Sequence, residues 1–140
     1  MVRILVVEDE GLFRDIATEA GVEDIAAGMS VSWGDYNRDG RPDLYVSNMF
    51  SKAGNRVAYQ RRYRAGQSGS TRELYQRHAR GNSLFENLGN GSFQDVSIEA
   101  NVTMGRWAWG SNFVDLNNDG WEDIVVANGL VTSQEDTGDL

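Results

Sequence analysis

The chain has no cysteine, a single proline and no long apolar run. The absence of cysteine excludes a disulfide framework and any metal site built from thiolates. No apolar stretch approaches the roughly 20 residues of a membrane-spanning helix, and Ile4–Val7 is too short for the core of a signal peptide. A secretion signal would therefore have to lie outside this chain. Because 16 glycines accompany the one proline, turns must depend on glycine, which is typical of a β-rich protein.

The net charge of −8 is unevenly distributed along the chain. Residues 51–80 carry a formal charge of +7, whereas the rest of the chain carries −15. Most of the chain should therefore attract cations, while one segment should attract anions. We expect no nucleic-acid partner, because the surrounding negative charge would repel a polyanion. The basic segment is interpreted instead as a solvated helical cap that pairs with the acidic body.

The chain repeats itself without a gap at a shift of 80 residues. Between residues 13–50 and their equivalents, 12 of 38 positions are identical, including Asp35 with Asp115 and Gly40 with Gly120. Many other pairs are conservative. A fixed internal period is the signature of a repeat architecture.

Each repeat unit predicts four short strands bounded by turns. The predicted strands are Arg3–Val7, Leu12–Ala17, Met29–Tyr36 and Asp43–Asn48 in the first unit, and Ser83–Asn87, Ser92–Ser97, Trp109–Leu116 and Asp123–Asn128 in the second. Four strands per unit are typical of a propeller blade. The expected fold is mainly β, with two four-stranded propeller-blade-like repeats. Since two blades cannot close a ring, the chain would be a fragment of a longer propeller, or its two units would pack on each other.

The repeat is interrupted by the basic segment, which gives the predicted domain organisation. The first repeat spans 1–50, a basic and partly helical insertion spans 51–80, the second repeat spans 81–130, and an acidic tail spans 131–140. Ser70 and Glu73 fit a capping box, which predicts a helix over 71–80. Arg56–Arg64 could form another short helix, and Gly66–Gly69 is interpreted as a flexible joint.

Two acidic loops, residues 35–43 and 115–123, share the pattern D-x-N-x-D-G-x-x-D. Calcium takes six to eight oxygen ligands. In a tightly coiled loop the side chains at positions 1, 3 and 5 converge, and glycine at position 6 lets the chain reverse. The carbonyl at position 7 and the carboxylate at position 9 then close the site. The predicted ligands of two calcium ions are Asp35, Asn37, Asp39, the Arg41 carbonyl and Asp43, and Asp115, Asn117, Asp119, the Trp121 carbonyl and Asp123.

These loops differ from EF-hands, which require Glu at position 12 and flanking helices. Position 12 is Val46 or Val126, and the flanks have the pattern of strands. A plain Asx-turn without metal would explain one such loop, but two copies in one register favour calcium. The second loop carries an additional Glu122 and no cation, whereas the first carries two arginines, so we expect tighter binding at the second.

The loop pattern, the apolar strand after it and residues 82–96, with the sequence NSLFENLGNGSFQDV, resemble the FG-GAP/VCBS repeat family. These are the calcium-loop repeats of integrin α-like β-propellers, and the resemblance covers about residues 10–50 and 81–130. It implies calcium ligands at the loop positions named above and a blade architecture. It also implies further blades or a protein or glycan partner, and an extracellular or periplasmic role in adhesion or assembly. The presence of only two repeats and the long basic insertion depart from the family pattern.

The first ten residues superficially resemble the opening strand of a response-regulator receiver, with its acidic metal-binding pair. The residue at the position of the phospho-accepting aspartate would be Asn48, and the only lysine is Lys52. The alternation of strands and helices that a receiver requires is also missing. A receiver-like phosphorelay domain is therefore the first alternative function.

A carbohydrate-binding or carbohydrate-active propeller fragment is the second alternative. Five aromatic side chains could line a sugar site, although packing between blades explains them more simply; they are Trp33, Trp107, Trp109, Phe113 and Trp121. The only histidine, His78, lies in the basic insertion, which argues against a Ser-His-Asp triad. The acidic residues are explained better by the two loops than by a glycosidase pair. The predicted function is a non-catalytic, calcium-binding structural or adhesion-type module.

Overall fold

The computed structural model of the chain describes residues 5–7 and 13–129. Within them, short strands dominate and helices are confined to a few segments. In chain order the elements are β1 Leu5–Val7, β2 Phe13–Asp15, α1 Ala17–Ala20, β3 Gly28–Gly34, β4 Asp43–Asn48, α2 Lys52–Ala58, α3 Gly69–Ala79, β5 Ser83–Asn87, β6 Phe93–Asp95, β7 Ala108–Val114 and β8 Asp123–Asn128.

The strands form antiparallel sheets in which the neighbours are consecutive in the chain. The order β3-β4-β5-β6 forms a four-stranded sheet, while β1-β2 and β7-β8 form two-stranded sheets. The register places Leu44 opposite Phe85 between β4 and β5, and Phe113 opposite Ile124 between β7 and β8. An up-and-down order of this kind is the arrangement of a propeller blade.

β4 lies at the centre of the packing, and all six of its residues are buried. Because side chains alternate along a strand, β4 serves two apolar clusters, one on each face of the sheet. Leu44 and Val46 pack with Val22 and Phe85 on one face. Tyr45 packs on the other face with a cluster that includes Phe113 of β7, so the second face joins the four-stranded sheet to the β7-β8 pair.

Two sheets meet where the edge strand β3 of one contacts the edge strand β7 of the other. The Ser111 Oγ of β7 lies 3.1 Å from the Oγ atoms of both Ser30 and Ser32 of β3. Gly34 also lies against Phe113, since a Cβ atom placed on Gly34 would lie 2.2 Å from the Phe113 ring. Small side chains on β3 therefore let the two strands approach closely.

The mainly β fold with propeller-like repeats is confirmed. β4, β5 and β8 have the predicted bounds, and the other strands that the structure describes overlap the predicted ones. The grouping of the strands differs from two four-stranded units. The four-stranded sheet takes its first two strands from the first repeat unit and its last two from the second, so sheet and repeat are offset by half a sheet.

The insertion contains two helices, α2 and α3, which pack as a hairpin. The Ser51 Oγ caps α2 by accepting from the Gly54 N–H at 3.0 Å. The helix predicted over 71–80 is present, but it starts earlier and Ser70 is not its cap. Ser68 is the N-cap and accepts from the Thr71 N–H at 3.4 Å. Because Ser68 already supplies the cap, the helix gains two residues and Ser70 lies inside it. The second predicted helix is shifted toward the N-terminus, to Lys52–Ala58.

Some predictions from the sequence fall wholly or partly outside the described residues. The acidic tail at 131–140 lies outside them, as does most of the receiver-like head, of which only the backbone of β1 is described. The predicted start of the first strand at Arg3 lies outside them as well. The antiparallel sheets that are described do not match the parallel β/α alternation of a receiver.

Candidate metal centre

The first acidic loop connects β3 to β4 and is held by hydrogen bonds from its own backbone. The Asp35 carboxylate accepts from the N–H groups of Asp39 at 2.9 Å and Gly40 at 2.8 Å. The Asn37 Oδ1 accepts from Asp39 N–H at 3.1 Å, and the Asp39 Oδ1 accepts from Arg41 N–H at 2.9 Å. The side-chain oxygens at positions 1, 3 and 5 thus all turn toward the inside of the loop.

The second loop, between β7 and β8, repeats this network almost atom for atom. The Asp115 carboxylate accepts from Asp119 N–H at 3.1 Å and from Gly120 N–H at 2.8 Å. The Asn117 Oδ1 accepts from Asp119 N–H at 2.9 Å, and the Asp119 Oδ1 accepts from Trp121 N–H at 2.8 Å. The shared sequence pattern therefore specifies one loop conformation twice.

Backbone torsions explain why the pattern requires glycine at position 6. Gly40 and Gly120 have φ angles of 79° and 85°, in the left-handed region that side chains with a Cβ disfavour. Position 4 also has a positive φ, 60° at Arg38 and 59° at Asn118. Two left-handed residues within three positions coil the loop tightly.

The carboxylate at position 9 is placed at the start of the strand after each loop. The Asp43 Oδ2 accepts from Tyr36 N–H at 3.2 Å, and the Asp123 Oδ2 accepts from Leu116 N–H at 3.1 Å. Asp43 is fully buried, and its Oδ1 also accepts from Asn87 N–H at 2.8 Å. Burial raises the pKa of the Asp43 carboxyl above its usual value, against the opposing effect of these backbone hydrogen bonds. Removal of Asp43 from water makes its negative charge costly without a cation nearby.

The donor set of each loop has the chemistry that calcium prefers, because every predicted ligand atom is an oxygen. In the described residues, however, no three Asp, Glu, His or Cys side chains are gathered closely enough to form a ready metal cluster. The carboxylates are instead turned to loop N–H groups. Their oxygens keep a further lone pair, except for the Asp39 Oδ2, which accepts from both the Asn37 amide and the Arg41 guanidinium. In the first loop the Arg41 guanidinium forms an ion pair with the Asp39 Oδ2. One predicted calcium ligand is therefore already paired with a positively charged side chain.

The two loops contact each other directly, which the sequence pattern did not indicate. The Glu122 Oε2 of the second loop accepts from the Asp35 N–H of the first at 2.7 Å. The Arg38 guanidinium carbon lies 5.1 Å from the centroid of the Trp121 ring, within the range of a cation–π contact. Glu122 and Arg38 were recognised in the sequence only as charges that distinguish the loops. Their partners depend on the packing of β3 against β7, which lies beyond any local pattern.

The positive charges of the insertion are used in two ways. At the base of the hairpin, Arg80 donates to the Asp95 Oδ2 at 2.8 Å, and Arg77 lies 3.6 Å from the same oxygen. Farther along, the Arg64 guanidinium lies over the Tyr75 ring at 4.4 Å. Lys52 and Arg56 are exposed. The expected pairing of the insertion with the acidic body therefore holds for the base of the hairpin.

The aromatic residues considered for a sugar site do not form one cluster. Phe113 is buried and packs edge-on against Tyr45 at 6.2 Å between ring centroids. Trp33 is half-exposed and contacts Phe93, while Trp107 contacts Trp109. The expectation of core packing is thus met by Phe113, whereas Trp33, Trp109 and Trp121 remain about half-exposed.

Comparison with known protein families agrees with the paired loops and the sheet order. Residues 27–68 match the model of the FG-GAP repeat, and residues 71–126 match that of the FG-GAP-like repeat. The chain belongs to the FG-GAP repeat family. No curated protein matches the chain.

FG-GAP repeats are structural repeat modules of the integrin α type and are generally non-enzymatic. They are typically found in extracellular or periplasmic proteins, and their repetition suggests further blades. None of the helices in the described part of this FG-GAP chain is both long and apolar enough to cross a membrane.

Proposed function

We propose that this FG-GAP chain is a calcium-binding, non-catalytic structural module of an adhesion-type protein outside the cytoplasm. The single observation that carries the proposal is the duplicated loop conformation. Two segments 80 residues apart turn the same oxygen atoms inward through equivalent hydrogen bonds. The oxygen atoms that hold each turn are also of the kind that calcium prefers as ligands.

Calcium would be held by the same five positions in each loop. The ligands would be Asp35, Asn37, Asp39, the Arg41 carbonyl and Asp43 in the first loop, and Asp115, Asn117, Asp119, the Trp121 carbonyl and Asp123 in the second. A bound ion would neutralise carboxylates that otherwise repel one another and would stabilise both hairpins. Its role is structural, because it supplies positive charge and fixed coordination to a turn.

The second loop would bind calcium more tightly than the first. The Arg41 guanidinium is paired with Asp39 in the first loop, and calcium must compete with that pair. Position 7 of the second loop is Trp121, whose side chain carries no charge. The Glu122 carboxylate contacts the Asp35 N–H of the first loop, so its charge does not decide this order.

A structural role also fits the surroundings of the only histidine. The His78 ring lies at the base of the hairpin, where its Nδ1 is 2.8 Å from the Ile25 carbonyl oxygen. This contact fixes α3 to the body of the protein. Among the described strands β8 pairs with β7 alone, so its other edge is available to a further strand. The partner would be further blades, or a protein or glycan.

The proposal is tested by calorimetric titration with calcium, combined with thermal melts in calcium and in chelator. Extracellular calcium modules bind at about 10⁻⁴–10⁻³ M, so millimolar calcium should add about 1 kcal/mol of stability per site. The variants Asp39→Asn and Asp119→Asn should each remove one site, and Glu99→Gln is a control with the same loss of charge outside the loops. If the unaltered chain shows neither binding heat nor a shift in melting temperature, the proposal is wrong.

A further inference from the structure

Two strands of the chain have one edge without a partner among the described strands. β8 pairs only with β7, and β1 pairs only with β2. At the 80-residue shift, β8 corresponds to β4 and β1 corresponds to the end of β5. β4 and β5 pair with each other inside the four-stranded sheet. The pairs β1-β2 and β7-β8, called half-sheets below, are therefore equivalent to the two halves of one complete sheet.

The half-sheets have the same strand registers as the complete sheet. Leu5 lies opposite Asp15 between β1 and β2, and the residues 80 positions later, Phe85 and Asp95, lie opposite each other between β5 and β6. The β7-β8 pair repeats every position of the β3-β4 register, including its irregularity. Since register sets which groups a strand presents at its edge, the free edges of β8 and β1 match those that join β4 to β5.

β8 is much more exposed than its equivalent strand. All six residues of β4 are buried, whereas those of β8 are half-buried or exposed. Val125 is 37% exposed, and the equivalent Tyr45 is 1% exposed. The four central residues of β8 are apolar, and the strand contains no lysine or proline. Edge strands are usually protected by such residues, so β8 has the character of a strand that pairs on both sides.

The apolar cluster at β8 matches the one at β4 except at one position. Four pairs of equivalent residues occupy the two clusters, namely Leu44 and Ile124, Val46 and Val126, Ala20 and Ala100, and Val22 and Val102. The cluster at β4 also contains Phe85, which lies opposite Leu44. The residue 80 positions before Phe85 is Leu5 of β1. A β1 strand added to β8 in the β4-β5 register would therefore place a leucine opposite Ile124.

A side-chain pair beside these strands changes at both of its members. In the complete sheet, the Tyr36 hydroxyl donates to the Glu86 Oε2 at 3.2 Å, which links β5 to the loop after β3. The equivalent residues are Leu116, in the loop after β7, and Val6 of β1. Leu116 is 68% exposed. A polar pair is thus replaced by an apolar pair, so β1 has the side chain that suits the loop beside β8.

We propose that β8 of one copy of this chain pairs with β1 of a second copy, so that β7, β8, β1 and β2 form a four-stranded sheet across the two copies. A second copy fits because each copy carries both matching edges. Pairing of backbone edges needs no metal, so the proposal is independent of calcium binding. The contact joins different surfaces of the two copies, and such contacts form rings or open chains. Each copy would contribute two blades, and since propellers have about 4–8 blades, a ring would contain about two to four copies.

The first test is sedimentation of the full chain in chelator at about 1–100 µM, a range that detects micromolar association. The unaltered chain should associate into species of about two to four copies. Val125→Lys should weaken the association about tenfold or more, because the added strand would cover the lysine. Val57→Lys on α2 is the matched control, since Val57 is 39% exposed, and it should associate like the unaltered chain. Circular dichroism at the lowest concentration checks that both variants are folded.

The second test measures the register with disulfides, since the chain has no cysteine of its own. Leu5→Cys and Ile124→Cys are made in separate copies, mixed and oxidised mildly. Opposite residues of paired strands have Cα atoms about 4.5–5.5 Å apart, within the range of a disulfide. Peptide mapping should find a disulfide between positions 5 and 124. Ile98→Cys replaces Ile124→Cys as the control; it is the same substitution at a residue that is 65% exposed, and it should give at least fivefold less mixed disulfide.

Three results would overturn the proposal. The first is a chain that remains monomeric at about 100 µM, which would leave the β8 edge to a different protein or to a further repeat. The second is association that Val125→Lys and Val57→Lys affect equally. The third is a yield of mixed disulfide that is the same for positions 98 and 124, since association would then not use the β4-β5 register.

Discussion

Asn48 donates an amide hydrogen to the Asp24 Oδ2 at 2.8 Å, and both side chains are almost completely buried. The same amide group donates to the Gly81 carbonyl at 2.8 Å, while the Asn48 N–H donates to the Asn82 Oδ1 at 2.8 Å. Asn48 thus joins the end of β4 to two other segments of the chain. The residue at the position of a receiver's phospho-accepting aspartate is a buried structural side chain.

Replacement of Asn48 by leucine should lower the free energy of unfolding by about 2–3 kcal/mol. Leucine occupies a similar volume but leaves the buried Asp24 carboxylate without its side-chain donor. Urea denaturation measures the change, with exposed Gln67→Leu as a control expected to shift stability by no more than about 0.5 kcal/mol. Equal denaturation midpoints for the two variants would contradict the structural role of Asn48.

Asp95 should make stability depend on acid pH. Burial alone would raise the pKa of Asp95, but hydrogen bonds from Ser97 and Arg80 and the charge of Arg80 outweigh it and lower the pKa below 3.8. Because the pKa of Asp95 is lowered in the folded state, the ionised Asp95 carboxylate contributes fully to the free energy of unfolding at pH values above the unfolded pKa of 3.8. This contribution is lost as pH falls through the lower folded value.

The measurement is urea denaturation at a series of pH values between about 5 and 2. The unaltered chain should lose stability more steeply than Asp95→Asn over this interval, because asparagine has no proton to gain. Glu99→Gln is an exposed control and should follow the unaltered chain. Parallel curves for the unaltered chain and Asp95→Asn would show that the ion pair with Arg80 contributes nothing that depends on pH.

Gly34→Ala should destabilise the contact between β3 and β7 by about 1–3 kcal/mol, the usual cost of overpacking. The added methyl group would lie 2.2 Å from the Phe113 ring, which is buried and has little room to move. Gly110→Ala is a matched control in β7, since its added methyl would lie 3.8 Å from Ala127, an ordinary contact. The double variant Gly34→Ala with Phe113→Leu should be less impaired than the two single losses added together. If the losses of stability of the two single variants add up exactly in the double variant, measured by thermal or urea denaturation, the clash of the added methyl group is not with the Phe113 ring.

Arg41→Gln should strengthen calcium binding at the first loop by up to about fivefold. The ion pair of Arg41 with Asp39 is partly exposed, and such pairs contribute at most about 1 kcal/mol. Calorimetric titration in the Asp119→Asn background isolates this site, and Arg62→Gln on the exposed hairpin is the control for a change in net charge. Weaker binding by Arg41→Gln would mean that the contact of Arg41 with the Asn87 carbonyl, at 2.8 Å, matters more to the loop than the competition does.

The sequence predicted the strands well because their signals are local. Gly40 and Gly120, with the acidic residues around them, mark two turns, and the runs Asp43–Asn48 and Asp123–Asn128 have the apolar character of strands. The 80-residue shift then assigned equivalent roles to both copies. The bounds of β4 and β8 were predicted to the residue for this reason.

The sequence could not predict the grouping of strands into sheets or the contact between the loops. A repeat has no inherent starting point, so the period of 80 residues fits sheets that begin at β1 or at β3 equally well. The partners of Glu122 and Arg38 are set by the approach of β3 to β7, which depends on Gly34 and three serines rather than on charge. Ser70 and Ser68 are both suitable helix caps, and their residue type does not distinguish them.

The half-sheet offset between repeat and sheet has a consequence for how genes of this kind can change length. Each repeat unit has two strands in one sheet and two in the next sheet along the chain. When a whole unit is lost or duplicated, the strand edges left on the two sides are therefore of the same kinds as before. The flanking strands can then pair again in the register of β4 with β5, where Val46 lies opposite Ser83. Loss or duplication of one whole unit, whose boundary lies between β4 and β5, therefore leaves every strand with a partner, whereas loss of β3 and β4 alone would leave one edge of β5 unpaired. The unit that is inherited and the unit that folds are not the same segment of chain.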